Sequence, residues 1–207
     1  MMYARLQTTA SRPETDDPDK LIRRLVDMIS AHPGYAGLAL LERDDQAGTM
    51  LTLWHTREDA ELASERSRAV AGPRPVELLA DDVYQVEDDW SGAAVDRPAG
   101  AALVGYFDGP LSPERVAAAR RRGREKINPA LRQVAGMVRS LVLWHPADRK
   151  FAVVHLATDA GVLHEIAATV TSVPVAQDED PALLTGPDRV DLQQVLAYEP
   201  AGDLAQR

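Results

Sequence analysis

The sequence predicts an α+β chain in which one β-α-β-β-α-β unit occurs twice. Three observations carry this. Hydrophobic periodicity switches between strand and helix in the same order in each half. Turn and capping residues punctuate the switches at matching places. One ungapped offset also places the middle of the first half on the middle of the second, with Met50 on Phe151, Leu53 on Val154 and Leu62 on Leu163.

The first unit opens on "MYARLQTTA", short and extended. In "DDPDKLIRRLVDMISAHPGYAG", Leu21, Ile22, Leu25, Val26, Met28 and Ile29 recur at helical spacing. Asp16 or Asp17 can cap that helix, Pro18 suits its first turn, and Gly34 suits its end. "GLALLER", "DDQAG" and "TMLTLWH" read as strand, turn and strand. "TREDAELASERSRAV" follows as a helix, with Thr56 and Asp59 at capping-box spacing. "DDVYQVEDDW" closes the unit as a strand.

The second unit repeats the order. "AGAALVGYFDG" is a strand, and Ser112 with Pro113 starts the helix "SPERVAAARRRGREKI". Asn128-Pro129 interrupts that helix or begins another. "MVRSLVLWH", "PADR" and "KFAVVHLA" form a hairpin. "TDAGVLHEIAATV" is a helix capped by Thr158, and "DRVDLQQVLAYEP" is the last strand. The last strands align at a longer offset, with Asp81 on Asp188 and Val83 on Val190. Each unit has the ferredoxin-like element order. The expected domains are residues 1–92 and 99–207, with the boundary in "WSGAAVDRPAG". The similar stretches "LTLWH" and "LVLWH" are not repeat counterparts: Trp54 ends a second hairpin strand and Trp144 a first. On the ungapped offset, Trp54 falls on His155.

Composition limits the function classes. The chain has 207 residues, a formal net charge of -9 and no cysteine. The negative balance argues against a nucleic-acid surface, which needs clustered cations. The basic block "ARRRGREK" is expected to be a solvated face paired with carboxylates. Lack of cysteine removes thiolate metal sites and disulfides, and fits a cytoplasmic location. No apolar run reaches membrane-spanning length, so no membrane partner is expected.

"HPGYAGLALLERDDQAGTMLTLWHTREDAELAS" resembles the dimeric α/β-barrel proteins of the antibiotic-biosynthesis monooxygenase type. The features are Pro33-Gly34-Tyr35 after the first helix, a hairpin, and Trp54 before a polar helix start. In the second unit the order persists, but Gly136 stands for the aromatic and His155 for the tryptophan. The resemblance implies two four-stranded sheets packed face to face, here as a pseudo-dimeric barrel within one chain or as a homodimer. A single such sheet with helices on one face needs a cover for the other. It also implies a small apolar or aromatic organic ligand and cofactor-independent oxygenation. A non-catalytic ligand-binding or assembly module is the alternative, so catalysis is left open. No cofactor is expected. Haem is set aside because the first-strand Asn and the His beyond the tryptophan that mark haem-degrading relatives are missing; Ala63 and Ser64 stand at the latter place.

The candidate acid/base residues are His155 and His164, nine apart on a strand and the next helix. Trp54, Tyr106 and Tyr35 are the candidate ligand-lining residues, against the plainer reading that such aromatics fill a half-buried sheet. His55 should point away from Trp54, because neighbours on a strand alternate faces. No metal-ligand set is identified.

Overall fold

The computed structural model describes residues 1–11, 17–69 and 77–200. No helix among them is long and apolar enough to cross a membrane. The first set of elements is β1 (Tyr3–Thr9), α1 (Pro18–Ser30), β2 (Tyr35–Glu42), β3 (Gly48–Trp54), α2 (Arg57–Ala69) and β4 (Leu78–Ser91). The second is β5 (Ala101–Phe107), α3 (Pro113–Arg122), α4 (Asn128–Leu131), β6 (Met137–His145), β7 (Lys150–Ala157), α5 (Ala160–Ser172) and β8 (Arg189–Glu199). The strands close into one barrel in the order β1-β3-β2-β8-β5-β7-β6-β4. The fold class is the one the sequence predicts: tandem ferredoxin-like units in an intrachain barrel.

By packing, the chain divides into two compact units. One is Met1–Val86 with the chain from Gln193 onward, and the other is Glu87–Leu192. Both divisions fall inside strands rather than in the loop after Trp90. β4 and β8 are long, at 14 and 11 residues, and each contributes to both units. The segment expected to be a linker is instead tied to β6. Gly92 N–H and Ala94 N–H donate to Val138 O and Met137 O at 2.9 and 2.8 Å, and Trp90 is buried.

In the first unit, the antiparallel pairs β1–β3, β2–β3 and β1–β4 build the sheet. One face carries Tyr3, Leu38, Leu40, Met50, Trp54 and Val83 beneath the helices, which supply Ile22, Leu25, Val26, Ile29, Ala60 and Ala63. Met28, expected on the apolar stripe, is 58% exposed. The other face carries Ala4, Leu6, Ala39, Leu41, Leu51 and Leu53, all buried. With both faces covered, β2 reads as a nearly unbroken apolar run. Asp17 caps α1, its carboxylate accepting from Lys20 N at 2.9 Å. Asp16 lies outside the described residues. Thr56 and Asp59 form the expected capping pair, with Asp59 N–H donating to Thr56 Oγ1 at 3.1 Å.

In the second unit, β5–β7–β6 form the antiparallel centre. One apolar cluster joins Trp90, Leu103, Leu131, Val134, Met137, Leu163 and Ile166. Another joins Leu111, Val116, Trp144 and Phe151. Asn128-Pro129 does not break the first helix. Asn128 N–H reaches back to Gly123 O across one widened π turn, Gly123–Ile127, and α4 continues from there. Asp159, rather than Thr158, caps α5, accepting from Gly161 N and Val162 N at 2.9 and 3.2 Å. The basic block is paired as expected: Arg120 with Glu87, and Arg122 and Lys126 with Glu179 at 3.0 and 2.8 Å.

The backbone corrects the repeat alignment. Gly34 O accepts from His55 N–H at 2.8 Å, and Gly136 O accepts from Thr158 N–H at 3.0 Å. Tyr35 pairs with Trp54, and Met137 pairs with Ala157. The counterpart of Trp54 is therefore Ala157, Gly136 matches Gly34, and His155 matches Thr52. The ungapped offset was two residues off. A slip of two on a strand keeps every side chain on its face, so the hydrophobic pattern cannot expose the error.

Candidate functional site

Trp54 is 1% exposed and sits under the helices of the first unit. Its indole Nε1–H donates to Thr52 Oγ1 at 2.9 Å. Tyr35 meets it edge to face at 6.1 Å between ring centroids, and the His32 ring is tilted against it at 6.4 Å. Tyr35 in turn donates its hydroxyl to Glu199 Oε2 at 2.6 Å. Burial and the neighbouring carboxylate both push the Tyr35 phenol well above its ordinary value. Beside them, Arg5 grips the Asp81 carboxylate at 2.7 and 3.1 Å, and Ser64 donates to it at 2.8 Å. The aromatic part of this face is saturated with its own partners. His55 is exposed, as strand alternation requires.

His155 differs. It is the one buried histidine of the chain: His32 and His145 are half-buried, His55 and His164 exposed. Burial pushes its imidazole down to about 4, so it is neutral near pH 7. Ser140 Oγ lies 3.0 Å from its Nδ1. The pairing register sets Ser140 and Leu103 on either side of it on the same sheet face. Leu103 belongs to the cluster with Leu163 and Ile166 of α5, so this is the helix-covered face.

The other second-unit candidates are not brought to His155. His164 is on the exposed side of α5, its Nδ1 2.9 Å from Ala160 O, whereas Leu163 and Ile166 face the sheet. The helix body separates the two histidines, because residues at neighbouring positions of a helix point in different directions. Tyr106 lies three residues along β5 from Leu103, hence on the opposite face from His155. It is 7% exposed, with the Arg189 guanidinium 4.0 Å from its ring centroid. Trp54 and Tyr35 belong to the first unit.

Two residues of this face escaped sequence reasoning. Ser140 is a lone hydroxyl in the apolar run "MVRSLVLW", and that isolation was the available signal. Trp90 ends the acidic "VEDDW" and resembled a strand terminus before a linker. Its ring is 7% exposed inside the second unit's core, with the Arg132 guanidinium 5.3 Å from its centroid.

No known family's sequence profile matches the chain, and no curated protein matches it by sequence. Solved structures do match over nearly their whole length. A candidate monooxygenase from Fusobacterium nucleatum has a TM-score of 0.66 at 12% identity, covering 98% of this chain and 96% of its own. The chain has the dimeric α/β-barrel fold. A mutant chlorite dismutase from Candidatus Nitrospira defluvii gives a TM-score of 0.63 at 12% identity, with 95% and 92% covered. A heme-degrading enzyme from Listeria monocytogenes gives 0.51 at 9% identity, with 92% and 98% covered.

These likenesses overturn the expectation that no cofactor, and haem in particular, has a place here. A heme-degrading enzyme is built on the same barrel, so the fold does not set haem aside. The sequence argument tested two positions of one known pattern, and a fold can carry a group through other residues. Haem iron takes a neutral imidazole nitrogen, oriented by a hydrogen bond to the other ring nitrogen. His155 is a neutral imidazole, but it is wholly buried on the face of Leu103, Leu163 and Ile166, so this face as built does not fit a haem.

Proposed function

We propose that the chain is a monooxygenase-like protein that holds a small apolar or aromatic ligand on the helix-covered face of its second unit, beside His155. One observation carries the reading. A wholly buried, neutral histidine with Ser140 Oγ at 3.0 Å stands on a face that is otherwise largely apolar. Aliphatic surroundings suit the body of a ring ligand, and a few convergent polar groups suit its orientation. A neutral imidazole can accept a proton or a hydrogen bond from such a ligand, and Ser140 Oγ lies within hydrogen-bond distance of its Nδ1. Support also comes from the shared fold with a candidate monooxygenase.

A thermal-shift panel of tricyclic aromatics, including fluorene and 9-fluorenone, together with haemin, tests this reading. At least one ring compound is expected to raise the melting temperature. Oxygen uptake with an oxidisable ring substrate is expected to fall in His155→Gln while binding persists. A panel in which nothing stabilises the protein refutes the proposal. Binding without any oxygen uptake favours the second reading, a non-catalytic ligand-binding module. That reading draws support from the first unit, where Trp54 is closed into the core with its N–H already satisfied.

A further inference from the structure

We infer that the crossover segment 173–188 is a lid over the way in to His155, latched by the Glu179 carboxylate. The inference deepens the reading of the second unit given above by giving its site an entrance. Strand register places that entrance. Leu103, His155 and Ser140 form one cross-strand row, and Gly105, Val153 and Val142 form the next row on the same face. The first row is buried, and Leu103 packs with Leu163 and Ile166 of α5. In the second row Val153 and Val142 are only half-buried, and Gly105 brings no side chain. The cover of this face is therefore thinnest one row from His155, a step of about 7 Å along the strands.

Pro187 closes that row. A Cβ at Gly105 would lie 3.5 Å from Pro187 Cβ and 3.7 Å from its Cγ, so the proline ring stands against the place a side chain would take. Pro187 belongs to a segment with almost no core of its own: among residues 173–188 only Glu179 is buried. Polar pins hold the segment instead. Glu179 accepts from Arg122, Lys126 and Ala176 N–H at 3.0, 2.8 and 2.7 Å. Arg122 also donates to Val173 O at 2.7 Å, and Arg115 donates to Thr185 Oγ1. Asp188 N–H anchors the far end on Tyr106 O at 2.8 Å. Segments with few buried apolar contacts open well below the free energy of global unfolding. Helix α5 cannot take that part, because Leu163 and Ile166 are 1% and 0% exposed in the core.

Diethyl pyrocarbonate, which acylates a neutral imidazole, reads the opening without any ring ligand. Peptide mass spectrometry follows each of the five histidines. Exposed His55 and His164 are the internal controls. In low urea at pH 7 the His155 rate is expected to stay nearly flat, because lid opening exposes little surface, and to steepen only near the global transition. Glu179→Gln is expected to raise the His155 rate about tenfold, through the weakened charge-assisted bonds, with His55 and His164 unchanged. Pro187→Gly is expected to raise it with the latch intact. A wild-type His155 rate that follows global unfolding at every urea concentration overturns the inference, and it decides alone should Glu179→Gln not fold. Faster amide exchange at Ala176 in Glu179→Gln with an unchanged His155 rate also overturns it, because the segment then moves without guarding the site. Neither result touches the ligand reading, which stands or falls on the ring-compound panel.

Discussion

Ser140 Oγ and His155 Nδ1 lie 3.0 Å apart on neighbouring strands, both buried. Burial, rather than this contact, holds the histidine in its neutral form. Its consequence for stability has a definite sign. The folded value is depressed to about 4 from 6.5, so between these values the unfolded chain binds more protons than the native one. Stability is therefore complete above pH 6.5 and falls as the pH drops toward 4. Below that the slope from this group disappears. The loss amounts to roughly 3 kcal/mol. Urea unfolding from pH 4 to 7 should show this slope in the wild type and a flatter one in His155→Gln. Identical slopes in the two proteins would contradict the burial argument.

Glu179 acts in a lower window. Its carboxylate accepts from Arg122, Lys126 and Ala176 N–H at 3.0, 2.8 and 2.7 Å. The Ala176 N–H, Lys126 and Arg122 together hold it down at about 2, against 4.5 ordinarily. The folded value is lowered, so the stability it contributes is present above pH 4.5 and is lost as the pH falls toward 2. Arg122 also bonds Val173 O at 2.7 Å, so this group pins the crossover between α5 and β8. Glu179→Gln should lower the melting temperature at pH 7 and speed hydrogen exchange at Ala176. Unchanged exchange there would show that the pin does not hold the crossover.

Trp54 tests the division of labour between the units. Trp54→Phe removes a buried ring and leaves Thr52 without its donor. A loss of about 2 kcal/mol is expected by urea unfolding. Binding of ring ligands by the second unit should be unaffected. Loss of binding in a folded Trp54→Phe would move the site to the first unit.

Element order was legible in the sequence because Ile22, Leu25, Val26 and Ile29 repeat at helical spacing and Asp17, Pro18, Ser112 and Pro113 punctuate the helices. The candidate site was not legible, because a period-two pattern cannot tell a slip of two residues. Trp54 was matched to His155 when its counterpart is Ala157. Nor could local pattern show that β4 runs on past Val86 and carries Trp90 into the second core. The pairing of His155 with Ser140 joins strands through a cross-strand register that no local signal encodes.

Gly34 and Gly123 give opposite expectations for the same substitution. Gly34 has φ +73, and a Cβ there would lie 2.0 Å from Asp59 Oδ2. Its carbonyl accepts from His55 N–H, so the turn cannot relax without breaking the β2–β3 closure. Gly34→Ala should therefore cost more than about 1 kcal/mol, through both the left-handed backbone and the displaced Asp59. Gly123 has helical dihedrals, and a Cβ at that position would meet nothing within 4 Å. Gly123→Ala should instead stabilise by up to about 1 kcal/mol, because alanine restricts the unfolded chain. Chemical unfolding of both variants at pH 7 checks the pair. A destabilised Gly123→Ala would mean that the π turn at Gly123–Ile127 needs glycine for a reason other than space.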